Sequence, residues 1–359
     1  MDRWRIKAAM GLVCILTVSA FALTGCAQTE KSDVITIRIA HDNNVNTPLH
    51  KAFLKFKDLV ETGSEGHMEV VIFPGGQMGS VQDTFEQCRR GDIEMSGSTT
   101  SNFTRAMPEF AAWESFYMFD DTAHAKRVFE SEAGKKMMEP LKRMNLTGIG
   151  YMELGFRNFS NSKRPIQTEE DLKGLKIRGY NPLQIKAWES VGVNTTSVSW
   201  NELFTSLQQR LIDGQECATT SFYTEKFYEA QKYWSLTRHV FTNFLWYANE
   251  DFMNSLSDSD RAFIMECAQE AIDYNWELAD QSEEEILKQL EDAGFPVNDV
   301  DISVRRQLGE KINASIKGDI IANCGEDTYN MLMAAVAAER REQGEEENEK
   351  NIEMAGCEF

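Results

Sequence analysis

The first clear hydrophobic pattern after the N-terminal region is a strict alternation of apolar and polar residues. Ile35, Ile37 and Ile39 alternate with polar side chains, which predicts a half-buried β-strand. Apolar residues then recur at helical spacing over residues 49–60, which indicates an amphipathic helix. A β-rich run at residues 68–73 follows and ends at a Pro-Gly-Gly turn.

The alternation of strand and helix continues beyond this turn. A helix is predicted over residues 81–90, where Gly91 ends it, and a short strand over residues 93–95. The order strand, helix, strand, helix, strand is typical of a parallel sheet with helices packed on its faces. The fold class predicted from the pattern is therefore α/β.

A second set of α/β elements begins near Phe156. Its members, in chain order, are strand 176–178, helix 183–191, strand 195–198, helix 201–210 and a further strand after Gly214. Because two such sets follow one another in a chain of this length, we expect two lobes.

A long helical pattern covers residues 258–293. At 1.5 Å per residue, one helix of this length would reach about 50 Å, which is enough to bridge two lobes. Two helices separated by a break near residues 280–283 would fit the same pattern. Beyond residue 339 the chain is charged and poor in apolar residues, which predicts a polar tail.

These patterns predict a signal peptide at residues 1–25, an anchor linker at 26–33 and a polar tail at 341–359. Between them we expect lobe 1 at residues 34–155, to which about 240–275 return. Lobe 2 is expected at residues 156–239, to which about 285–340 return.

The N-terminal 26 residues have the composition of a bacterial secretion signal. Arg3, Arg5 and Lys7 precede an apolar stretch at residues 8–22 that is too short for a comfortable membrane span. Leu-Thr-Gly and then Cys26 follow, and small residues directly before a cysteine resemble a bacterial lipobox. We therefore expect lipidation at Cys26 and a mature protein held at the outer face of a bacterial membrane or in the periplasm. An ordinary signal peptide with an incidental cysteine is the alternative.

The charge balance narrows the range of partners. The whole chain has a formal net charge of −20, and removal of residues 1–25, which carry a net +2, would make it −22. Such a protein has no basic field to attract nucleic acid or an anionic membrane surface. Any anionic ligand must be held by a few local cations.

The cysteines and histidines give no metal or catalytic signature. The cysteines beyond Cys26 are odd in number and widely spaced, without C-x-x-C, so no disulfide framework, metal site or cofactor is predicted. Motifs of serine hydrolases, zinc peptidases, P-loop enzymes and dinucleotide-binding enzymes are missing, and no enzyme activity is expected. His41 and His50 bracket the loop after the first strand; His41 is a candidate ligand contact, and a solvated loop position is the alternative reading.

Two arginines are candidate carboxylate ligands. Arg178 ends a predicted strand, and side chains at the carboxyl ends of strands in α/β sheets point into the ligand crevice. Arg157 follows a predicted glycine-bearing strand. A guanidinium binds a carboxylate through two hydrogen bonds and stays charged at any working pH.

Several sequence blocks resemble those of the TRAP-transporter solute receptors of the DctP type. Asp-Leu-Lys-Gly-Leu-Lys-Ile-Arg at 171–178 is similar to that family's D-L-K-G-L-K-[IL]-R, and Ile-Asp-Gly-Gln-Glu at 212–216 to V-D-G-Q-E. Residues 73–79, 200–209 and 226–232 resemble three further family blocks. The blocks occur in order along the chain, which makes the resemblance far more specific than any single motif.

The resemblance implies a two-lobed, periplasmic-binding-protein-like fold with a hinge and a long lobe-spanning helix. It also implies that Arg178 forms a salt bridge with the ligand carboxylate, that Arg157 is the second arginine of the site, and that Trp200 lines the pocket. The family usually has Asn-Pro after D-G-Q-E, whereas this chain has Cys217 and Ala218. Because a thiol is a weak donor, the replacement of an amide by Cys217 puts the usual carboxylate contact in doubt.

Two less certain pocket candidates are Thr99, after the strand at 93–95, and Asn181. The Asn-Pro pair at 181–182 resembles the one in receptors for sugar acids, which hints at a uronate. The predicted function is thus extracytoplasmic capture of an organic acid or sugar acid by hinge closure and its delivery to membrane permease subunits. A sensory lipoprotein of the same fold and a secreted enzyme acting on acids are the alternatives.

Overall fold

The computed structural model of the protein describes residues 34–340. The predicted signal peptide, the lipidation candidate Cys26 with its linker and the polar tail 341–359 lie outside the described residues. Within the described part, strands and helices follow one another through most of the chain.

The strands are short except for two. In chain order they are β1 Ile35–Ala40, β2 Met68–Phe73, β3 Met95–Ser98, β4 Leu146–Asn161, β5 Lys176–Gly179, β6 Asn194–Ser197, β7 Gly214–Ala218, β8 Tyr233–Leu236, β9 Phe241–Asn249 and β10 Val297–Asp299.

The helices, again in chain order, are α1 Pro48–Gly63, α2 Val81–Arg90, α3 Thr122–Glu130, α4 Glu132–Lys136, α5 Pro182–Glu189, α6 Trp200–Gln208, α7 Thr219–Thr224, α8 Glu250–Ser255, α9 Asp258–Asp292, α10 Ile302–Cys324 and α11 over 326–340.

The strands form a mixed sheet in the order β2-β1-β3-β9-β4-β7-β5-β6, and β8 pairs with both β4 and β10. β1 is parallel to β2 and to β3, as the alternation of elements predicts, and β5 is parallel to β6 and β7. The long strands β4 and β9 run antiparallel to each other, and each is antiparallel to its outer neighbour. The predicted wholly parallel sheet is therefore limited to the strands on either side of this central pair.

Strand β4 joins the two halves of the sheet. Its first part, Leu146–Phe156, pairs with β9, and its last part, Arg157–Asn161, pairs with β7. The register is irregular between Glu153 and Gly155, and Gly155 has φ = +102°, a conformation that favours glycine. The predicted lobe boundary at 155/156 falls within one residue of this change of partner. The assignment of the rest of the chain to lobes stays a prediction.

Helix α9 is one continuous helix of 35 residues, so the reading with a break near residues 280–283 is wrong. It packs against α1 and β4 in one half of the protein and against α7 and β10 in the other. Its buried residues stop at Ala279 and resume at Ile286, and the polar stretch between them coincides with the passage from one hydrophobic core to the next. The polar interruption thus marks a gap between cores.

The end of the described chain contacts elements of both predicted lobes. Helix α10 packs against α5 and against the 3-10 turn Pro108–Glu114. Nε2 of His124 lies 2.9 Å from the carbonyl oxygen of Val336 in α11, and Arg340 donates to Asp120 at 2.6 Å. Residues 336–340 thus contact residues 118–127, and the predicted return of 285–340 to lobe 2 stays a prediction.

Strand β3 differs from its prediction, because it covers Met95–Ser98 instead of residues 93–95. Ser96 is fully buried in the sheet and donates its hydroxyl to the carbonyl of Ala40 at 3.0 Å. Gly97 leaves room for Phe244, whose ring atoms would lie 2.3 Å from an added Cβ. Small and polar residues fill this strand because its neighbours pack so closely, and a hydrophobic pattern cannot reveal such a strand.

Candidate functional site

A cavity of about 330 Å³ lies between the two halves of the sheet. One side is formed by the loop after β1, the turn before α2 and the segment after β3, and the other by β4 and the ends of β5, β6 and β7 together with the start of α6. Crevices at the carboxyl ends of strands are the usual ligand sites of open α/β sheets. Residues from both halves therefore face the same enclosed space.

Arg178 in β5 lines this cavity with most of its guanidinium unpaired. Its Nε donates to the carbonyl oxygen of Val198 at 2.9 Å, and its guanidinium carbon lies 5.3 Å from the ring centre of Tyr180 and 5.4 Å from that of Trp200. No carboxylate within residues 34–340 forms an ion pair with it. Burial, and then the neighbouring Arg157, lower the pKa of Arg178 to about 10, so the group remains charged at neutral pH.

Arg157 also lines the cavity, but its position differs from the sequence interpretation. It lies within β4, not after a strand, and its guanidinium is held by Glu216 of β7. Nη2 donates to Oε1 of Glu216 at 2.9 Å and to the carbonyl oxygen of that residue at 2.6 Å, and Nε donates to Oε2. Only Nη1, which donates to Oγ1 of Thr242 at 3.3 Å, lies outside the ion pair.

The pair of Arg157 and Glu216 is almost fully buried and is supported by His239. Nε2 of His239 lies 2.9 Å from Oε2 of Glu216. Burial alone would raise the pKa of Glu216, but Arg157 and His239 outweigh it and hold the pKa at about 2. Glu216 therefore neutralises Arg157, and Arg178 is left as the unpaired cation among the described residues that line the cavity.

Trp200, Cys217 and Thr99, three further candidates from the sequence, also line the cavity. Trp200 begins α6, and its ring packs edge-on against Phe227 with the ring centres 5.4 Å apart. The thiol of Cys217 is buried in β7, and burial raises its pKa to about 12, so it is protonated and unreactive at neutral pH. Cys217 contributes an apolar surface where an amide would have offered a donor.

Asn181 does not line the cavity. Its side-chain oxygen caps α5 by accepting from the backbone N–H of Gln184 at 2.9 Å, and its Nδ2 donates to Glu114 at 3.1 Å. Because both ends of the amide are used inside the protein, the structure assigns Asn181 a structural role, which corrects its selection as a ligand contact.

His41 is likewise placed away from the cavity. It is buried, its ring stacks on Phe53 with the centres 5.2 Å apart, and its Nε2 lies 3.1 Å from Nδ1 of His50. Burial, and then His50, lower the pKa of His41 to about 3, so the ring is neutral. Asp42 faces the cavity in place of His41, because neighbouring side chains along an extended backbone point to opposite sides.

Asp42 is the main residue of the site that the sequence interpretation missed. It follows β1 in the same loop as His41, and it is the carboxylate among the described cavity-lining residues that stands opposite the arginines. Burial raises its pKa to about 6, while the charge of Arg178 acts in the opposite direction. Tyr180, which comes directly after β5, was also missed, although its place two residues beyond Arg178 along an extended backbone could have suggested that both side chains lie on one side.

No metal site accompanies this arrangement in residues 34–340, where three or more His, Cys, Asp or Glu side chains do not gather in a way that could hold an ion. The arrangement instead presents one unpaired cation, one carboxylate and an aromatic surface inside a small enclosed volume. It can hold a small anion that also carries polar groups.

Comparison with known proteins points in the same direction. The profile of bacterial extracellular solute-binding protein family 7, named DctP, matches residues 39–319 of this chain, which include every residue that lines the cavity. The 2,3-diketo-L-gulonate-binding periplasmic protein YiaO of Escherichia coli is 31% identical over 263 residues, which are 73% of this chain and 80% of the relative. The C4-dicarboxylate-binding protein DctB of Bacillus subtilis is 27% identical over 259 residues, 72% of this chain and 74% of the relative.

Among solved structures, the chain resembles the sugar acid binding protein DctPAm of Advenella mimigardefordensis, whose crystal structure contains galactonate. The two share 28% sequence identity and superimpose with a TM-score of 0.81, over 86% of this chain and 100% of the other. The likeness confirms the predicted two-lobed α/β fold.

Proposed function

The chain belongs to family 7 of the bacterial extracellular solute-binding proteins, the TRAP-transporter receptors of the DctP type, and we propose that it captures a small carboxylate through Arg178. A buried cation without a partner is costly, and a bound carboxylate supplies the missing charge and two hydrogen bonds at once. The unpaired guanidinium of Arg178 in the cavity is the observation that carries this proposal.

The proposed ligand class is a sugar acid. YiaO is named for binding 2,3-diketo-L-gulonate, and DctPAm holds galactonate. The cavity of this chain supports the same class, because most of the uncharged side chains around it carry hydroxyl or amide groups that can pair with ligand hydroxyls; they include Asn43, Thr99, Asn102, Ser199, Asn201 and Ser221.

Capture proceeds by closure of the two lobes around the ligand. The cavity is lined from both halves of the sheet, so a bound ligand contacts both and binds the closed state more tightly than the open one. The irregular register of β4 between Glu153 and Gly155, at the change of strand partner, supports this place as the hinge. The closed receptor then delivers its ligand to the permease subunits of a TRAP transporter.

The proposed location is the outer face of a bacterial membrane, with the lipid attached at Cys26. Family membership supports the extracytoplasmic location. In the part of the chain that the structure describes, no helix combines the length and the apolar character that a membrane crossing requires. Mass spectrometry of the mature N-terminus tests the anchor, and an unmodified N-terminus at another residue would contradict it.

The proposed role includes no covalent chemistry. The titratable groups beside Arg178 are not arranged as a nucleophile and its base: Glu216 is locked in its ion pair with Arg157, and the pKa of Cys217 is raised to about 12. Asp42, whose pKa is raised to about 6, accepts a hydrogen bond from the side-chain amide of Asn43 and none from a hydroxyl or thiol within residues 34–340. A general base needs such a group within hydrogen-bond reach. Recovery of the bound acid unchanged after prolonged incubation is the expected result.

Titration calorimetry with a panel of aldonates, uronates and C4-dicarboxylates tests the capture. We expect one acid per protein, and we expect Arg178→Ala to weaken binding by about 100-fold or more, since it removes a buried charged partner of the carboxylate. Arg178→Lys should restore only part of the affinity, because an ammonium cannot form the two parallel bonds.

The matched control is Arg306→Ala, which removes an exposed arginine from α10, and it should bind like the wild type. Unchanged affinity in Arg178→Ala, with folding verified by circular dichroism, would contradict the proposed mechanism.

A further inference from the structure

Asp42 lies at the edge of the cavity in a loop whose backbone is hydrogen-bonded on both sides of it. The backbone N–H of His41 donates to the carbonyl of Phe73 at 3.1 Å, and Gly75 and Gly76 donate to the carbonyls of Asn43 and His41, each at 3.1 Å. The amide of Asn43 also donates to the carboxylate of Asp42 at 3.1 Å. The carboxylate is thus positioned before any ligand arrives.

The charges around the cavity leave Asp42 without a cation of its own. Arg157 is neutralised by Glu216, so one positive group, Arg178, and one negative group, Asp42, remain among the described lining residues. No lysine, arginine or histidine of residues 34–340 forms an ion pair with Asp42. When a ligand carboxylate takes up the charge of Arg178, the carboxylate of Asp42 remains as an uncompensated acceptor.

An uncompensated carboxylate in an enclosed site distinguishes sharply between ligand groups. It accepts strong hydrogen bonds from hydroxyl groups, and it repels a second carboxylate, because like charges interact strongly where water is excluded. Burial raises the pKa of Asp42 to about 6, with Arg178 opposing this rise, so the group is ionised at pH 7.5. Asp42 also acts on Glu225 at the end of α7, whose pKa is raised by burial and then by the charge of Asp42.

We propose that Asp42 selects the ligand: its carboxylate accepts a hydrogen bond from a hydroxyl group of a polyhydroxylated monocarboxylate and excludes dicarboxylates. The proposal rests on the capture of a carboxylate by Arg178 and adds the residue of the same site that distinguishes sugar acids from dicarboxylates. The hydroxyl-bearing and amide-bearing side chains around the cavity complement the remaining hydroxyl groups of such a ligand.

The test compares Asp42→Asn with the wild type, each titrated at pH 7.5 with D-galactonate, D-galacturonate and succinate. For the wild type we expect the tighter sugar acid to bind about 100-fold more strongly than succinate. The substitution keeps the shape and an acceptor oxygen but removes the charge. We therefore expect it to reduce this ratio by about tenfold or more, with succinate gaining affinity and the sugar acid losing some.

Asp58→Asn, which removes one negative charge from the exposed face of α1, is the control and should leave the ratio unchanged. Thermal melting verifies the fold of each variant, and Asp42→Ser gives a second neutral side chain should Asp42→Asn prove unstable.

The outcomes separate the two proposals. A wild type that prefers succinate, or an Asp42→Asn ratio within twofold of the wild type, would overturn the role of Asp42 and leave capture by Arg178 standing. A wild type that binds none of the three acids would overturn both.

Discussion

Strand β4 changes its partner from β9 to β7 just after Gly155, and we call this place the joint. Two buried carboxylates lie on opposite sides of the joint, and their surroundings shift their pKa values in opposite directions. Glu216, beyond the joint, receives Arg157 and His239, and its pKa is held at about 2 in spite of burial. Glu153, before the joint, is 2% exposed; no ion pair reaches it within residues 34–340, and its Oε2 has no hydrogen-bond partner. Burial therefore raises the pKa of Glu153 well above the ordinary value.

The surroundings of Glu153 add to this difference. Asp280 and Glu283 of α9 are close enough to raise its pKa further, and the pKa of each of these two groups is itself raised, mainly by burial. The comparison shows that burial alone does not set the pKa of a carboxyl. Arg157 and His239 hold the pKa of Glu216 low and stabilise its charged form at neutral pH, whereas Glu153 has no ion-pair partner among residues 34–340 and has two acids beside it.

The largest expected effect comes from removing the charge of Glu216. In Glu216→Gln, Arg157 keeps a buried positive charge with no carboxylate, and breaking a buried pair in this way typically costs about 3–5 kcal/mol of stability. Urea unfolding at pH 7 measures this loss. The depressed pKa means that the stabilisation is present above pH 4.5 and is lost as the pH falls toward 2, so the difference between the two proteins should narrow in acid.

Glu229→Gln, an exposed position in the same half of the protein, is the control for this variant and should change stability little. The double variant Arg157→Met with Glu216→Leu removes both charges and should recover much of the loss, since two apolar residues leave no buried ion behind. A Glu216→Gln protein as stable as the wild type would show that the ion pair of Arg157 and Glu216 does not stabilise the fold.

A smaller effect of opposite sign is expected at the joint. Glu153→Gln should raise the free energy of unfolding by about 1–2 kcal/mol at pH 8, because it replaces a buried ionisable group by a neutral amide that can donate to the neighbouring acids. A carboxyl whose pKa is raised on folding loses stability as the pH rises above its unfolded value of 4.5, so the gain should disappear near pH 4.

Thermal melting of the two proteins between pH 4 and pH 8 measures this trend. Glu285→Gln, which removes an exposed carboxylate from the same helix as Asp280, provides the comparison and should show no such pH dependence. A gain that is equal at both ends of the pH range would mean that titration of Glu153 is not its cause.

The smallest expected effect concerns the backbone of the joint itself. Gly155 has φ = +102°, and the nearest atoms to an added Cβ would be 3.8 Å away, so Gly155→Ala introduces backbone strain without a steric clash. We expect a loss of about 1 kcal/mol. Gly318→Ala in α10, where a Cβ meets nothing within 4 Å and φ is not positive, should instead stabilise the protein slightly. Equal effects at the two glycines would rule out strain at the joint.

The regular elements were the most predictable part of the fold. The bounds predicted for β2 and α2 are those observed, because alternation, helical spacing and the ending glycine are all local signals. Strand β3 was misplaced, and β4 and β9 were not recognised as a long central pair, because their strand partners lie far away in the sequence. Local pattern says little about which strands pair.

The residues of the site that belong to a family motif could be predicted from the sequence. Those whose position depends on packing against distant residues could not. Arg178, Trp200, Cys217 and Thr99 lie in the cavity as the sequence interpretation expected, although their contact with a ligand stays a prediction. The pairing of Arg157 with Glu216 joins residues 59 positions apart and left no local signal. The choice between His41 and Asp42 depends on which face of one short loop is buried.

The sequence by itself determined the family, the two α/β sets of elements and the candidate arginines. It also determined the extent of the helical pattern over residues 258–293, because each of these depends on neighbouring residues or on spacing along one element. Tertiary structure alone decided which arginine is neutralised, which side chain of the first loop faces the ligand space and whether α9 is continuous. These properties depend on charges, burial and strand partners that come from distant parts of the chain, and a charge has no fixed role until its neighbours in space are known.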